Sequence, residues 1–165
     1  MTECPGCGVR LPESGYPLNE SYLASGECLE VCHEVYGYTL AHAHPSFLHQ
    51  HVVDAYAVQH KSESAARIGV AFGLIGLYLA CEKGYTGRQV QLAHMELGRV
   101  KREWPRFERP AAGFAGLTVV DVWLAEEGTA RDETILRWAR AVWESWGAAQ
   151  GWTRQTCAAL LVRLD

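Results

Sequence analysis

Residues 28–60 read CLEVCHEVYGYTLAHAHPSFLHQHVVDAYAVQH, and this stretch predicts the arrangement of the chain around it. It divides into two helical segments that join near His44 and Pro45, because proline suits the first turn of a helix. If the two helices form an antiparallel hairpin, they cross near residue 44. The start of the first, Cys28, and the end of the second, His60, then return to the same end of the hairpin.

A short cysteine motif precedes this hairpin. Cys4 and Cys7 flank Pro5-Gly6, a pair that turns the chain tightly enough for both thiolates to reach one ion. Together with Cys28 and His60 they supply three sulfurs and one imidazole, a set that suits tetrahedral Zn²⁺. The start of a helix also favours a thiolate at Cys28.

Other interpretations of these cysteines remain open. A Cys-x-x-Cys pair can be a redox dithiol, although that motif usually opens a helix in an α/β fold, or the thiols can be unligated. Cys32 lies one helical turn after Cys28 and can replace His60 to complete a four-cysteine site.

Composition bounds the class of protein. With 165 residues, 48% of them hydrophobic, the chain is long enough for one domain with a sizeable core. A net charge of −4 argues against nucleic acid as a partner. Residues 68–81 are too short an apolar run to cross a membrane. No signal peptide is visible, so we expect a cytoplasmic protein with reduced cysteines that are available for metal.

The pattern along the chain predicts an all-α fold. Residues 1–24 are expected to be irregular and to carry the zinc knuckle, which is the turn that contains Cys4 and Cys7. Residues 25–100 are expected to form a helical core, residues 101–116 a loop, and residues 117–165 the C-terminal helices. The whole is predicted to be a single-domain bundle of about five to six helices. The expected helix starts are Ser25, Pro45, Ser62-Glu63-Ser64, Thr86 and Thr129, with a short last helix from Thr153. Thr118 can cap a further short helix, unless TVVDVW is a strand.

Several histidines cluster around the join of the hairpin. In the second helix His49, Val53, Tyr56 and His60 share one stripe, while His51 and Asp54 point elsewhere. About 16 Å of helix separates His49 from His60, so these two cannot bind the same ion. A second metal site built from His42, His44, His49 and His51, with His94 as a further ligand, is one hypothesis. The alternative is that His42, His44 and His51 are solvated and that His49 is hydrogen-bonded in the core.

The order of these motifs resembles a family of uncharacterised bacterial proteins of about this length. The resemblance covers most of the chain and is most specific over residues 49–60, HQHVVDAYAVQH. It implies that the motif positions of that family are Cys4, Cys7, Cys28, His49, Asp54, Tyr56, Gln59 and His60. Cys32 is not among them, which favours His60 as the fourth ligand. The histidines that relatives carry after a second tryptophan are replaced here by residues 147–150, GAAQ.

These observations lead to two functional hypotheses. The first is a zinc-stabilised binding or regulatory module, whose partner is a protein or a small molecule that the sequence does not identify. The second is a metal-dependent enzyme, of the hydrolase or small-thiol transferase type, that uses a histidine-containing site in the bundle. A closed four-ligand site is typical of the first hypothesis, and three ligands plus water are typical of the second.

Overall fold

Helices make up most of the computed structural model, which describes residues 1–19, 21–61, 67–110 and 116–161. Within these ranges lie a two-stranded antiparallel hairpin and seven helices, so the all-α prediction is confirmed with one or two helices more than expected. The elements are β1 (Thr2–Glu3), β2 (Arg10–Leu11), α1 (Gly26–Ala41), α2 (His49–His60), α3 (Arg67–Lys83), α4 (Gly87–Gly98), α5 (Val119–Leu124), α6 (Thr129–Ser145) and α7 (Gly147–Leu160).

The predicted caps explain where three of the helices begin. The side chain of Ser25 accepts a hydrogen bond from the backbone N–H of Cys28, which satisfies one free donor of the first turn of α1. Thr86 and Thr118 each take part in a reciprocal capping box, with Gln89 and Asp121 respectively. The second box explains why TVVDVW is the helix α5 rather than a strand.

Other boundaries differ from the prediction. The second helix begins at His49 instead of Pro45, because Phe47 adopts a positive φ of 52° that interrupts the helix. The last helix begins at Gly147 instead of Thr153 and continues through Gly151. Its buried face outweighs the low helix propensity of glycine. The predicted start of the third helix at residues 62–64 lies outside the described residues.

The N-terminal segment is also more regular than expected. Residues 1–24 were predicted to be irregular, yet β1 and β2 pair across a turn that contains both cysteines of the motif. Strands of two residues are too short to produce an alternating pattern in the sequence.

Helix α2 lies at the centre of the bundle, packed against both α3 and α6. Gly73 lets α3 approach closely, since a Cβ atom there would lie 2.5 Å from the Cγ2 atom of Val58. Residues on nearly all sides of α2 are therefore buried, including His51, which is only 3% exposed. The expectation that His51 is solvated was wrong, because the polar side of this helix faces protein rather than water.

Gln59 connects α2 to the C-terminal half of the chain. Its Oε1 accepts a hydrogen bond of 3.0 Å from the indole N–H of Trp138, and its Nε2 donates to the carbonyl of Leu117 at 3.2 Å. Both Gln59 and Trp138 are almost completely buried.

We expect the substitution Gln59→Leu to lower the free energy of unfolding by about 2 kcal/mol, because it leaves the buried indole N–H of Trp138 and the half-buried carbonyl of Leu117 without their partners. Chemical denaturation measures this loss. The matched control is Gln155→Leu on the exposed side of α7, where we expect a change within about 0.5 kcal/mol. Equal stability of the two variants would contradict the connecting role of Gln59.

Among the described helices, none is long and apolar enough to cross a membrane.

Candidate metal centre

The turn between β1 and β2 carries the first two candidate ligands. The backbone N–H of Cys4 donates to Val9 O, and the N–H of Gly8 donates to Cys4 O, each at 2.8 Å. Gly8 has a φ of 75°, a conformation that glycine adopts without steric cost. The cysteines therefore lie on a hairpin turn and not at a helix start, which disfavours the redox interpretation.

The other two candidate ligands come from the ends of α1 and α2. Cys28 lies in the first turn of α1, and His60 is the last residue of α2. The backbone N–H of Leu23 donates to His60 O at 2.5 Å, and Tyr22 pairs with Lys61 in an isolated bridge. These contacts hold the segment before α1 against the end of α2, as the antiparallel hairpin predicts.

The structure brings Cys4, Cys7, Cys28 and His60 together, with their ligand atoms all within 4.8 Å of one another. The Sγ atoms of Cys7 and Cys28 are 3.9 Å apart, and Cys28 Sγ is 3.6 Å from His60 Nε2. Ideal tetrahedral zinc would place neighbouring donors about 3.8 Å apart for two sulfurs and about 3.6 Å for sulfur and nitrogen. The cluster can therefore hold a metal ion of that size and geometry.

Tyr56 orients two of these side chains. Its carbonyl lies 3.1 Å from His60 Nδ1, which donates the hydrogen bond and leaves the lone pair of Nε2 directed at the cluster. Its hydroxyl donates to Cys28 Sγ at 3.7 Å. The rings of Tyr56 and His60 stack with centroids 3.9 Å apart, so the imidazole has little freedom to turn away.

The three thiols perturb one another strongly. Hydrogen bonds from Cys28 and Cys7 lower the pKa of Cys4. The hydrogen bond with Cys28 lowers the pKa of Cys7, but the contact with Cys4 and burial outweigh it and raise that pKa to about 12. The contacts with Cys4 and Cys7, and then burial, raise the pKa of Cys28. Without a cation the cluster therefore favours one thiolate, whereas a bound metal ion stabilises all three.

Access to the cluster is restricted. Cys4, Cys28 and His60 are completely buried, and Cys7 is half-buried. Gly6 leaves no room for a side chain, because a Cβ atom there would overlap the carbonyl oxygen of Leu23 and lie 2.6 Å from His60 Cδ2. The glycine of the motif is thus required for the turn to dock against α2.

The sequence did not indicate the role of Arg109. Its guanidinium donates to Gly6 O at 2.8 Å and to the carbonyls of Gln59 at 3.1 Å and Lys61 at 3.4 Å. The loop after α4 is therefore fastened to both the cysteine turn and the end of α2. One indirect signal in the sequence indicated that this loop contacts other segments, namely its length. Loops this long are uncommon unless they cover another part of the protein.

A family model matches residues 2–147, nearly the whole chain, and its description is a family of unknown function, DUF5946. The chain belongs to DUF5946. This confirms the predicted resemblance to an uncharacterised family. No curated protein and no solved structure matches this DUF5946 chain.

The remaining histidines of the DUF5946 chain do not assemble into a second cluster. Over the described residues, the group at Cys4 is the only one with three or more ligating side chains close enough for an ion. The ring nitrogens find separate partners: Tyr38 O for His42, Ser46 for His44, Thr39 for His49, and Phe72 O with Gln50 for His94. His49 is hydrogen-bonded, as the alternative interpretation predicted.

Cys32 and His51 are both buried apart from that group. Cys32 is completely buried, and burial raises the pKa of its thiol to about 12. Burial lowers the pKa of His51 to about 4, so this imidazole is neutral at pH 7.

Proposed function

We propose that this protein is a zinc-binding helical protein in which Cys4, Cys7, Cys28 and His60 hold a structural Zn²⁺ ion. The observation that carries the proposal is the convergence of four ligand atoms from three separate segments to within 4.8 Å. A set of three thiolates and one imidazole in tetrahedral geometry is typical of zinc. Four protein donors also leave no position open for a substrate, which favours a structural role.

The ion joins the N-terminal hairpin to the base of α1 and α2. We infer that the protein acts as a binding or regulatory module for a protein or small-molecule partner. The zinc ion maintains the shape of the surface that the N-terminal hairpin and the two helices form together. None of the six cysteines forms a disulfide, which supports a reducing compartment such as the cytoplasm. The enzyme hypothesis requires an open coordination position, and the four-donor cluster does not offer one.

Elemental analysis of the purified, reduced protein tests the zinc assignment, and anomalous diffraction at the zinc edge identifies the ligands. We expect one zinc ion per chain, bound by all four side chains. The variants Cys28→Ser and His60→Asn should lose the ion, whereas the control Cys32→Ala should retain it. If Cys32→Ala lost the zinc ion and His60→Asn retained it, the fourth ligand would be Cys32 instead of His60. A metal-free, fully folded wild-type protein would refute the proposal.

A further inference from the structure

A second polar centre lies where α2, α3 and α4 meet, and the cysteine cluster does not use it. Asp54 of α2 is only 3% exposed, and its Oδ1 accepts a hydrogen bond of 3.1 Å from Gln50 Nε2. Its Oδ2 is buried and has no hydrogen-bond partner among the described residues. A carboxylate oxygen in that position carries a large desolvation cost unless a cation or a donor compensates it.

The surroundings of this oxygen are shaped by Gly76 of α3. A Cβ atom on Gly76 would overlap Asp54 Oδ2 and lie 3.2 Å from His94 Nε2. The carboxylate oxygen and the imidazole nitrogen therefore both lie against the bare backbone of Gly76, where any side chain would displace them.

A third atom that can bind a metal ion lies beside the imidazole. His94 Nε2 donates a hydrogen bond of 2.9 Å to the carbonyl oxygen of Phe72. Two neighbouring ligands of one metal ion can have the same spacing. Gln50 Nε2 lies 3.5 Å from His94 Nδ1 and also bonds Asp54, so one amide orients both side chains. Gln50 and His94 are half-buried, which opens this centre to solvent on one side.

We propose that Asp54 Oδ2, His94 Nε2 and the carbonyl oxygen of Phe72 form a second metal site, for a divalent first-row transition ion. Two oxygens and one imidazole nitrogen suit ions such as Co²⁺, Mn²⁺ or Zn²⁺. Binding requires the His94 proton on Nδ1 instead of Nε2, so that the lone pair of Nε2 faces the ion, and the 3.5 Å contact between Gln50 Nε2 and Nδ1 then gives way. Burial raises the pKa of Asp54, so any proton on that carboxyl leaves when the ion binds.

This site differs from the cysteine cluster in kind. Three protein donors leave coordination positions open to water, which is the arrangement of catalytic rather than structural sites. The inference does not depend on zinc in the cysteine cluster, because the two sets of ligands share no residue. It gives the enzyme hypothesis a location in the bundle.

Titration of the zinc-loaded protein with Co²⁺ tests the proposal. Calorimetry should detect one additional equivalent, and the absorption spectrum of that equivalent should lack thiolate-to-cobalt charge-transfer bands. Cobalt that entered the cysteine cluster instead would show those bands, so a failure of either site is recognised separately. Absence of an additional equivalent in the wild-type protein would overturn the proposal.

Two variants locate the additional equivalent. Asp54→Asn is nearly isosteric and mimics the protonated acid, and His94→Gln removes the nitrogen donor. Each should weaken cobalt binding by at least about tenfold, as loss of even an outer-shell group does. The control His33→Gln removes an exposed imidazole on α1 and should leave the affinity unchanged. Undiminished binding in Asp54→Asn and His94→Gln, or an anomalous cobalt peak elsewhere, would refute the assignment.

Discussion

Removal of the proposed zinc ion by an excess of chelator is expected to lower the free energy of unfolding by about 4 kcal/mol. An ion that binds only the folded state contributes RT ln(1 + [L]/Kd), which is about 4.1 kcal/mol at a thousandfold excess over Kd. The expectation follows from how the cluster is built. Its ligands come from the β1–β2 turn, the start of α1 and the end of α2, and the unfolded chain does not hold these segments together.

Thermal and chemical unfolding with and without chelator measure this difference. Hydrogen exchange should show where stability is lost first, and we expect the amides of Cys4 and Gly8 to lose protection before those of α2. Cys28→Ser provides the control, because a variant that cannot bind zinc should not respond to chelator. An unchanged unfolding midpoint in the chelated wild-type protein would show that the ion, if bound, does not stabilise the fold.

The substitution Gly6→Ala is expected to weaken zinc binding by about a hundredfold, which corresponds to about 2.7 kcal/mol. The new methyl group would collide with the carbonyl oxygen of Leu23, a backbone atom that has little freedom to move, and with the ring of His60. The turn that carries Cys4 and Cys7 must therefore withdraw from α2, which separates two thiolates from the remaining ligands. Competition with a chromophoric chelator measures the affinity.

Gly37→Ala is the matched control for this substitution. Gly37 lies inside α1, and a Cβ atom there would meet nothing within 4 Å beyond the neighbouring backbone of its own helix, so the methyl group points into open space. Because alanine is the better helix former, we expect this variant to be more stable by roughly 0.5–1 kcal/mol and to bind zinc normally. Similar zinc affinities in the two alanine variants would contradict the close docking of the cysteine turn.

Local patterns in the sequence predicted much of the fold. Caps at Ser25, Thr86 and Thr118 depend on residues three positions away or fewer, and such short-range chemistry is visible in a single chain. The antiparallel hairpin also followed from the proline between its helices. It predicted that Cys28 and His60 approach each other, and the structure places Cys28 Sγ 3.6 Å from His60 Nε2.

Features that depend on packing between distant segments were not predictable. Arg109 bonds a carbonyl 103 positions earlier, and Gln50 meets His94 across 44 positions. The burial of His51 likewise depends on the helices packed around α2 and not on the sequence of α2 alone. Periodicity reports which side of a helix is apolar, but α2 has protein on nearly all sides. Periodicity therefore predicts that a polar residue on such a helix is solvated, although the residue is buried.

The positions of the four candidate ligands along the chain bear on how the protein matures. All of them precede residue 61, so on a chain emerging from the ribosome the complete set is exposed before α3 is. Arg109 appears much later and then bonds the carbonyls of Gly6, Gln59 and Lys61. Capture of the ion can therefore precede the assembly of the bundle, and the later arginine closes a junction that has already formed.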